Sequence, residues 1–428
     1  AGADGSLRRP QPSKRAAAPQ RPRPVANRQR LHAHRRPARD DRPRARVITD
    51  DRKRGIRFHG WSLDSTRLLY IQDKDGDENW HIHCADPAGG PARDLTPYDG
   101  VTAQLMGQSW SRPDTLAVGL NDRDAAWHDL YLIDMATAER ELRFRNDNGY
   151  GGLTLDRDLR LRVLEKPRQA EGGRIIYRTD GKTHEPWLTI GHEDDLSTGI
   201  GGFSADGRTL YLESSLQRDK AGLFAVDWAS GTQTLLAEHD KVDIGRTLTH
   251  PTTYVVDAYQ SHYLRGEWHP LGPALVDDFD FLGKATDNAF DVISRSKDDT
   301  TWIIATVNPQ RPPSYYVYDR SGRALEYLFD SRPELAAEKL ARMHPVVIPA
   351  RDGLELVSYL SLPAKIDGNR PPTPLPLVLN VHGGPWAQDT YDFDAEHQWL
   401  ADRGYAVLSV NFRGSTGYGK AFVNAGDL

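Results

Sequence analysis

Short runs of alternating apolar and polar residues recur from residue 58 to about residue 330 at a nearly constant interval. Apolar strands are predicted to start near Leu68, Leu116, Leu161, Leu210, Tyr254 and Trp302, at steps of 48, 45, 49, 44 and 48 residues. An alternation with a period of two residues is typical of a β-strand that buries one face. The pattern therefore predicts a repeated β-unit of about 47 residues.

A second landmark has the same period. Apolar strands end in an aspartate before a turn at Asp86, Asp134, Asp180, Asp227 and Asp319, at steps of 48, 46, 47 and 92 residues, and the last step is two periods. Units of this length, with several short strands, are typical of a β-propeller built from four-stranded blades. Six units are visible, which predicts a propeller of about six or seven blades over residues 51–330. An array of β-sandwiches is the alternative. The fifth unit is the least regular, since residues 268–273 replace its Asp turn.

The pattern changes near residue 331. Pro333 and a possible N-cap at Ser331 precede Glu334 to Met343, which predicts a linker helix within residues 331–345. A hairpin is expected next, from residues 346–348 and 354–362 around a turn at 351–353.

A different class of fold is predicted for residues 346–428. The continuous apolar run 377–381 is typical of a strand buried on both faces. A helix near residues 395–403, a strand at 405–410 and a glycine-rich loop at 411–419 follow it. Strand, loop, helix and strand in this order indicate the start of a parallel α/β sheet.

The loop after the first of these strands carries candidate chemistry. It reads His382, Gly383, Gly384, Pro385 and Trp386. In α/β-hydrolases a His-Gly-Gly loop after a buried strand supplies a backbone N–H to the oxyanion of acyl transfer. Glycine permits the close approach of a substrate because it has no Cβ. A tight turn that merely requires positive φ is the alternative.

Charge is divided unevenly along the chain. Residues 1–50 hold fourteen Lys or Arg and four Asp, net +10, whereas the other residues carry net −15. The first fifty residues have seven Pro and no aromatic residue, so we expect a disordered basic segment. No nucleic-acid-binding motif follows it, and a nucleic-acid partner is not expected.

The remaining composition is that of a globular protein, and no apolar run is long enough for a membrane span. Cys84 is the only cysteine, so no disulfide within the chain is possible and the compartment, cytoplasmic or periplasmic, stays open. No phosphate- or dinucleotide-binding glycine loop is present, and neither a cofactor nor a metal is expected.

The HGGP motif at 382–385, the strand after it and the sequence NFRGSTGYG at 411–419 resemble the opening of the catalytic domain in the prolyl oligopeptidase family. Residues 72–80, QDKDGDENW, are also similar to a first-blade sequence of that family. The acylaminoacyl-peptidase and dipeptidyl-peptidase-like branch is the most similar. The resemblance implies a propeller followed by an α/β-hydrolase domain, and a serine peptidase that cleaves short peptides.

The resemblance also implies a nucleophilic serine in a G-x-S-x-G elbow, followed by Asp and His. No such elbow occurs in the 428 residues: Ser415 follows Gly414, but position 413 is Arg. We therefore expect a chain that is truncated at its C-terminal side, lacks the triad and is inactive alone. The part of the family's site that the resemblance implies within these residues is the oxyanion loop at 382–386. His382 would orient this loop, and Arg413 would brace the sheet edge. A surface ion pair is the alternative for Arg413.

Two carboxylates of the first-blade sequence, Asp77 and Glu78, are candidates for binding the amino group of a peptide substrate. A solvated turn is the alternative. The whole chain has a second interpretation, as a non-catalytic propeller that binds other proteins. The oligomeric state, the residue preferred before the cleaved bond, and the choice between endopeptidase and aminopeptidase are left open.

Overall fold

A computed structural model describes residues 48–49, 55–56, 58–287, 289–384 and 386–427. The predicted basic segment, residues 1–50, lies outside these residues apart from positions 48 and 49. Within the described part, antiparallel sheets follow one another along the chain, and a mixed sheet comes last.

The first three antiparallel sheets each have four strands. Strands β1 to β4 are Phe58–Trp61, Leu68–Gln72, His81–Ala85 and Arg93–Asp94. Strands β5 to β8 are Ala103–Ser109, Arg112–Asp124, Trp127–Asp134 and Arg140–Phe144. Strands β9 to β12 are Gly152–Leu155, Leu161–Pro167, Arg174–Thr179 and His184–Ile190. Neighbours in sequence are neighbours in each sheet.

The next three sheets continue the series, with one exception in strand number. Strands β13 to β16 are Gly199–Phe203, Thr209–Ser214, Gly222–Asp227 and Gln233–Ala237. The fifth sheet has three strands, β17 to β19: Ile244–Thr249, Val256–His262 and Gly266–Pro270. Strands β20 to β23 are Phe290–Arg295, Thr301–Thr306, Ser314–Asp319 and Ala324–Asp330.

The predicted strand positions coincide with the second strand of each sheet. Strands β2 and β10 begin at the predicted Leu68 and Leu161. The fifth prediction is displaced: Tyr254 has φ +53° in a turn, and β18 begins at Val256. The repeated pattern therefore located five of the six strand starts to within two residues, and β6 begins at Arg112, four residues before Leu116.

Consecutive sheets are packed face to face. Leu69 of the first sheet and Leu116 of the second share one core, and Val163 and Leu210 join the third and fourth sheets in the same way. Full burial of one such aliphatic side chain contributes roughly 1.5–3 kcal/mol. Stacking of neighbouring sheets is thus the main source of stability in this part of the chain.

A helix takes the place of the missing strand in the fifth sheet. Helix α1, Val276–Thr286, follows a short 3₁₀ turn and packs Phe279 and Leu282 into the core of the sixth sheet. Asp278 accepts a 2.7 Å hydrogen bond from the hydroxyl of Tyr318. The irregular pattern of the fifth unit indicated this difference, but it did not predict a helix.

The last sheet is mixed, with strand order β24-β25-β27-β26. Its strands are β24 to β27: Arg342–Pro349, Glu355–Leu362, Leu377–Asn380 and Ala406–Val410. Strands β24 and β25 form the predicted hairpin, and β26 and β27 are parallel. Helix α2, Ala395–Asp402, connects the parallel pair, and helix α3, Lys420–Asn424, follows β27.

The linker helix predicted for Glu334 to Met343 is wrong. Only Pro333–Leu335 form a 3₁₀ turn, and β24 already begins at Arg342. The side chain of Gln398 on α2 accepts from the N–H of Ala341 at 2.7 Å and donates to its carbonyl at 3.0 Å. These buried bonds fix Ala341 at the entry to β24, and they outweigh the weak helix preference of ten residues.

The strand predicted at 377–381 exists, but it is not buried on both faces. Leu377 and Leu379 are 58% and 57% exposed. Strand β26 stands at the edge of the sheet in the described part of the chain, and α2 covers only the opposite face. None of the described helices is long and apolar enough to cross a membrane.

Candidate active site

The candidate loops lie at one edge of the last sheet. Strands β26 and β27 are parallel, with Leu377 opposite Ala406 and Asn380 opposite Ser409. The loops after their carboxyl ends, residues 381–394 and 411–419, therefore meet at the same edge. In open α/β sheets this edge is the usual place of a ligand site.

His382 connects the two loops. Its Nε2 atom lies 2.9 Å from the hydroxyl oxygen of Ser415, and its Nδ1 atom lies 2.9 Å from the carbonyl oxygen of Gly383. A carbonyl only accepts hydrogen bonds, so Nδ1 carries the proton and Nε2 accepts from Ser415. The ring also stacks on Phe412, with centroids 4.6 Å apart. Both nitrogens are therefore occupied in bracing the loop.

The two glycines after His382 differ in what they require. Gly384 has φ +135°, and a Cβ there would lie 2.5 Å from the backbone nitrogen of Trp386. A Cβ on Gly383 would meet no atom within 4 Å. Neither glycine donates its N–H to another described residue. Both donors are thus available to a ligand, while Pro385 lies outside the described residues.

Ser415 sits beneath the surface. It is fully buried, and Gly414 before it has φ +99°. Its hydroxyl is committed to His382, and the Nδ1 atom of His382 faces a carbonyl where a catalytic triad has a carboxylate. The pair therefore lacks both the access and the third partner of a nucleophilic serine.

Asn411 is a connecting residue that the sequence analysis missed. Its side-chain oxygen accepts from the N–H of Asp389 at 2.8 Å, and its amide donates to the Asp389 carbonyl at 3.1 Å. The same amide group donates to the hydroxyl of Tyr418 at 3.0 Å. A polar Asn directly after a predicted apolar strand was the available signal in the sequence.

Arg413 makes an ion pair with the hairpin turn. Its Nη2 atom lies 2.6 Å from Asp352, and the two side chains are 38% and 59% exposed. The hydrogen bond from Arg413 is the main reason that the pKa of Asp352 is lowered. This arrangement corresponds to the surface ion pair that was kept as the alternative.

The turn between β2 and β3 carries Asp77 and Glu78. The carboxylate of Asp77 accepts from the N–H groups of Lys74 and Asn79, at 3.2 and 3.1 Å. Glu78 is exposed and has φ +58°. No hydrogen bond joins either side chain to residues 381–384 or 386–427. The structure thus does not bring these carboxylates into contact with the loop at 382–386.

A polar cavity of about 390 Å³ lies between the fifth and sixth antiparallel sheets and residues 390–392. The guanidinium of Arg265 lies 4.6 Å from the ring centroid of Tyr391. Burial raises the pKa of Asp392, which accepts a 2.8 Å hydrogen bond from the hydroxyl of Thr390. Among the described residues, no group of three or more His, Cys, Asp or Glu is arranged to hold a metal ion.

Comparison with known proteins supports the resemblance to the prolyl oligopeptidase family. The model of the prolyl oligopeptidase family matches residues 391–428. The chain is 45% identical over 391 residues to dipeptidyl aminopeptidase BIII of Pseudoxanthomonas mexicana, covering 91% of this chain and 57% of that protein. It is 28% identical to dipeptidyl peptidase family member 6 of Caenorhabditis elegans, covering 90% and 56%. The chain thus spans little more than half the length of these relatives.

Solved structures give the same fold at low identity. A puromycin-hydrolyzing peptidase of Mycobacterium tuberculosis aligns with a TM-score of 0.58 at 17% identity, over 84% of this chain and 58% of that one. Dipeptidyl peptidase 4 of Porphyromonas gingivalis aligns with a TM-score of 0.53 at 15% identity, over 86% and 59%. The four-stranded antiparallel sheets match the propeller domain of such neighbours, as predicted. The family model and the relatives together confirm the resemblance of this chain to the prolyl oligopeptidase family.

Proposed function

We propose that this chain supplies the propeller and the oxyanion loop of a serine peptidase that releases dipeptides from short peptides. The observation that carries the proposal is the pair of N–H groups of Gly383 and Gly384, which donate to no other described residue and lie at the carboxyl edge of a parallel strand pair. The choice of a dipeptide product rests on the names of the relatives, which are a dipeptidyl aminopeptidase and a dipeptidyl peptidase family member.

The proposed reaction passes through an acyl-enzyme. A serine oxygen attacks the carbonyl carbon of the scissile bond, and the carbonyl oxygen becomes an oxyanion. Donors placed where this negative charge develops stabilise the transition state. Gly383 or Gly384 has the role of such a donor, and His382 has the role of holding the loop.

The nucleophile, its base and the orienting carboxylate are proposed to come from polypeptide outside residues 1–428. The absence of a G-x-S-x-G elbow and the burial of Ser415 support this view. The chain by itself is accordingly proposed to be inactive. Incubation of the 428-residue protein with a fluorophosphonate probe tests this part: we expect no labelling, and stoichiometric labelling would overturn it.

The architecture proposed for the intact enzyme is a propeller of six or seven blades with an α/β-hydrolase domain. The six antiparallel sheets have the role of blades, and β24–β27 open the hydrolase domain. The propeller restricts access to short peptides. Asp77 and Glu78 are proposed to bind the substrate amine, since they occupy the turn between the second and third strands of their sheet. The equivalent turn of the fourth sheet contacts residues 418–421.

The substrate class is tested with fluorogenic amides on the intact gene product that contains this chain. We expect release of the fluorophore from dipeptides with a free amino group and little release from single amino acids. Acetylation of the amino group is expected to lower kcat/KM, because the carboxylates of Asp77 and Glu78 lose a charged partner. Equal rates with acetylated and free dipeptides would contradict the dipeptidyl specificity. Hydrolysis of the other substrates would then decide whether the protein is a peptidase.

A further inference from the structure

The antiparallel sheets contact the glycine-rich loop of the hydrolase part through Asp243, which precedes β17. The Asp243 N–H donates to the carbonyl of Gly417 at 2.9 Å. One carboxylate oxygen accepts from the N–H of Gly419 at 3.1 Å, and the other accepts from the N–H of Ala221 at 2.7 Å. Asp243 thus fixes two backbone positions of the loop and ties them to the fourth sheet.

A second contact holds the start of α3. The side chain of Asp219 accepts from the N–H of Ala421 at 2.8 Å, and its carbonyl accepts from the N–H of Lys420 at 2.9 Å. The first N–H groups of a helix have no partner inside the helix and need one elsewhere. Here a residue about 200 positions earlier in the chain provides it.

Lysines reinforce this contact from both sides. Lys220 donates to the carbonyl of Tyr418 at 2.6 Å. Lys420 lies 2.9 Å from Asp194 on the other side. A Cβ on Gly419 would lie 2.7 Å from the end of the Lys220 side chain. The loop therefore lies directly against the turn at 219–220.

The loop held in this way is the one that braces His382. Ser415, within it, donates to His382, and the N–H of Thr416 donates to the carbonyl of Ala387 at 3.0 Å. Asp243 is thus connected to both ends of the loop at 382–387. Its hydrogen bonds reach Gly417 and Gly419, and the same short backbone segment bonds to the loop through Ser415 and Thr416. In this connection, both carboxylate oxygens of Asp243 accept charge-assisted hydrogen bonds.

We propose that Asp243 and Asp219 are positioning residues for the loop at 382–386, so that the propeller sets the geometry of the proposed oxyanion donors. Neither side chain touches the substrate; both act through residues 415–421. The role of the loop as an oxyanion donor rests on the proposed function. The claim that Asp243 and Asp219 hold the loop in position does not.

The test is hydrogen exchange on the 428-residue protein and its variants Asp243→Ala, Asp243→Asn and Asp219→Ala. We expect exchange in residues 386–390, where the N–H of Asp389 donates to Asn411, to become about tenfold faster in Asp243→Ala, since the loop loses a charged acceptor. Asp243→Asn keeps one acceptor and should give an intermediate rate. Asp240→Ala, an exposed neighbour, is the matched control, and peptides from the second sheet (residues 116–134) report global unfolding.

A spectroscopic readout separates positioning from a general loss of structure. In the wild type, the ¹⁵N signals of His382 should be those of the Nδ1–H tautomer, assigned by comparison with His382→Gln. We expect a mixture of tautomers in Asp243→Ala.

Faster exchange confined to residues 414–421, with residues 386–390 and the His382 tautomer unchanged, would overturn the proposal. If Asp243→Ala does not fold, Asp243→Asn and Asp219→Ala decide by the same criteria. If the loop responds as expected but the intact gene product is not a peptidase, the proposed function is refuted and the positioning role of the two aspartates stands.

Discussion

The hydroxyl of Ser415 donates a hydrogen bond to Nε2 of His382, across 2.9 Å, inside the proposed oxyanion site. This bond leaves His382 as a brace between two loops. Ser415→Ala removes the donor from a part-buried hydrogen bond, which costs about 0.5–1.5 kcal/mol. Urea unfolding of the variant measures this cost. Ser294→Ala, on an exposed strand position, is the control, and equal stabilities of the two variants would contradict the bracing role.

Arg413→Ala is expected to change stability by less than about 1 kcal/mol, because its ion pair with Asp352 is exposed to water. The small effect should shrink further in high salt, since mobile ions screen exposed charges. Urea unfolding at low and high NaCl checks both points. A salt-independent loss of several kcal/mol would instead support the sheet-bracing role that the sequence suggested.

The contribution of Glu213 to stability should decrease as the pH rises from about 4.5 to about 7. Burial, assisted by the nearby Asp243, raises the pKa of Glu213 from 4.5 to about 7. In this window the folded protein holds a proton that the unfolded chain releases, so raising the pH favours unfolding by at most about 3 kcal/mol. Glu213→Gln should remove this dependence and be more stable than the wild type at pH 8. Glu185→Gln, exposed, should behave as the wild type does.

The contribution of His262 to stability should decrease in acid. Burial lowers its pKa from 6.5 to about 4. Its Nε2 atom lies 3.4 Å both from the N–H of Tyr391 and from the hydroxyl of Tyr359, an arrangement suited to a neutral ring. Between pH 6.5 and 4 the unfolded chain binds a proton at His262 that the folded state does not, so this contribution to stability falls as the pH falls, by at most about 3 kcal/mol.

His262→Gln removes this titration. Thermal unfolding from pH 7 to pH 4 should show a smaller decrease for this variant than for the wild type. His59→Gln, on an exposed strand, is the control and should follow the wild type. An unchanged acid dependence in His262→Gln would assign the effect to other groups, such as His397, whose pKa burial also lowers.

The repeated strands and the local turns could be predicted from the sequence. Leu68 and Leu161 mark strand starts because the alternation of apolar residues directly reflects the two faces of a sheet. The turn at Asp352 and Gly353 was predicted for a similar reason: Gly353 has φ +88°, a conformation that glycine favours.

Long-range contacts account for what the sequence did not predict. The position of Ala341, where the chain enters β24, depends on Gln398, about sixty positions later. Helix α1 replaces a strand because Phe279 and Leu282 fill a core that belongs to the next sheet. At the site, Gly384 and His382 were identified from their motif, whereas Asp219 and Asp243 lie in turns without a distinguishing pattern. Their role follows only from the fold, which places them against residues 417–421.

The central claim is that the loop at 382–386 carries oxyanion donors, and the pair Gly384→Ala and Gly383→Ala tests it most directly in the intact gene product. The Cβ of Gly384→Ala would collide with the Trp386 nitrogen, whereas that of Gly383→Ala meets open space and keeps its N–H. We predict that Gly384→Ala lowers kcat for a dipeptide amide by about a hundredfold or more. Gly383→Ala should stay within about tenfold of the wild type, in the range of a modest loop adjustment. Equal activity of Gly384→Ala and the wild type would contradict the account.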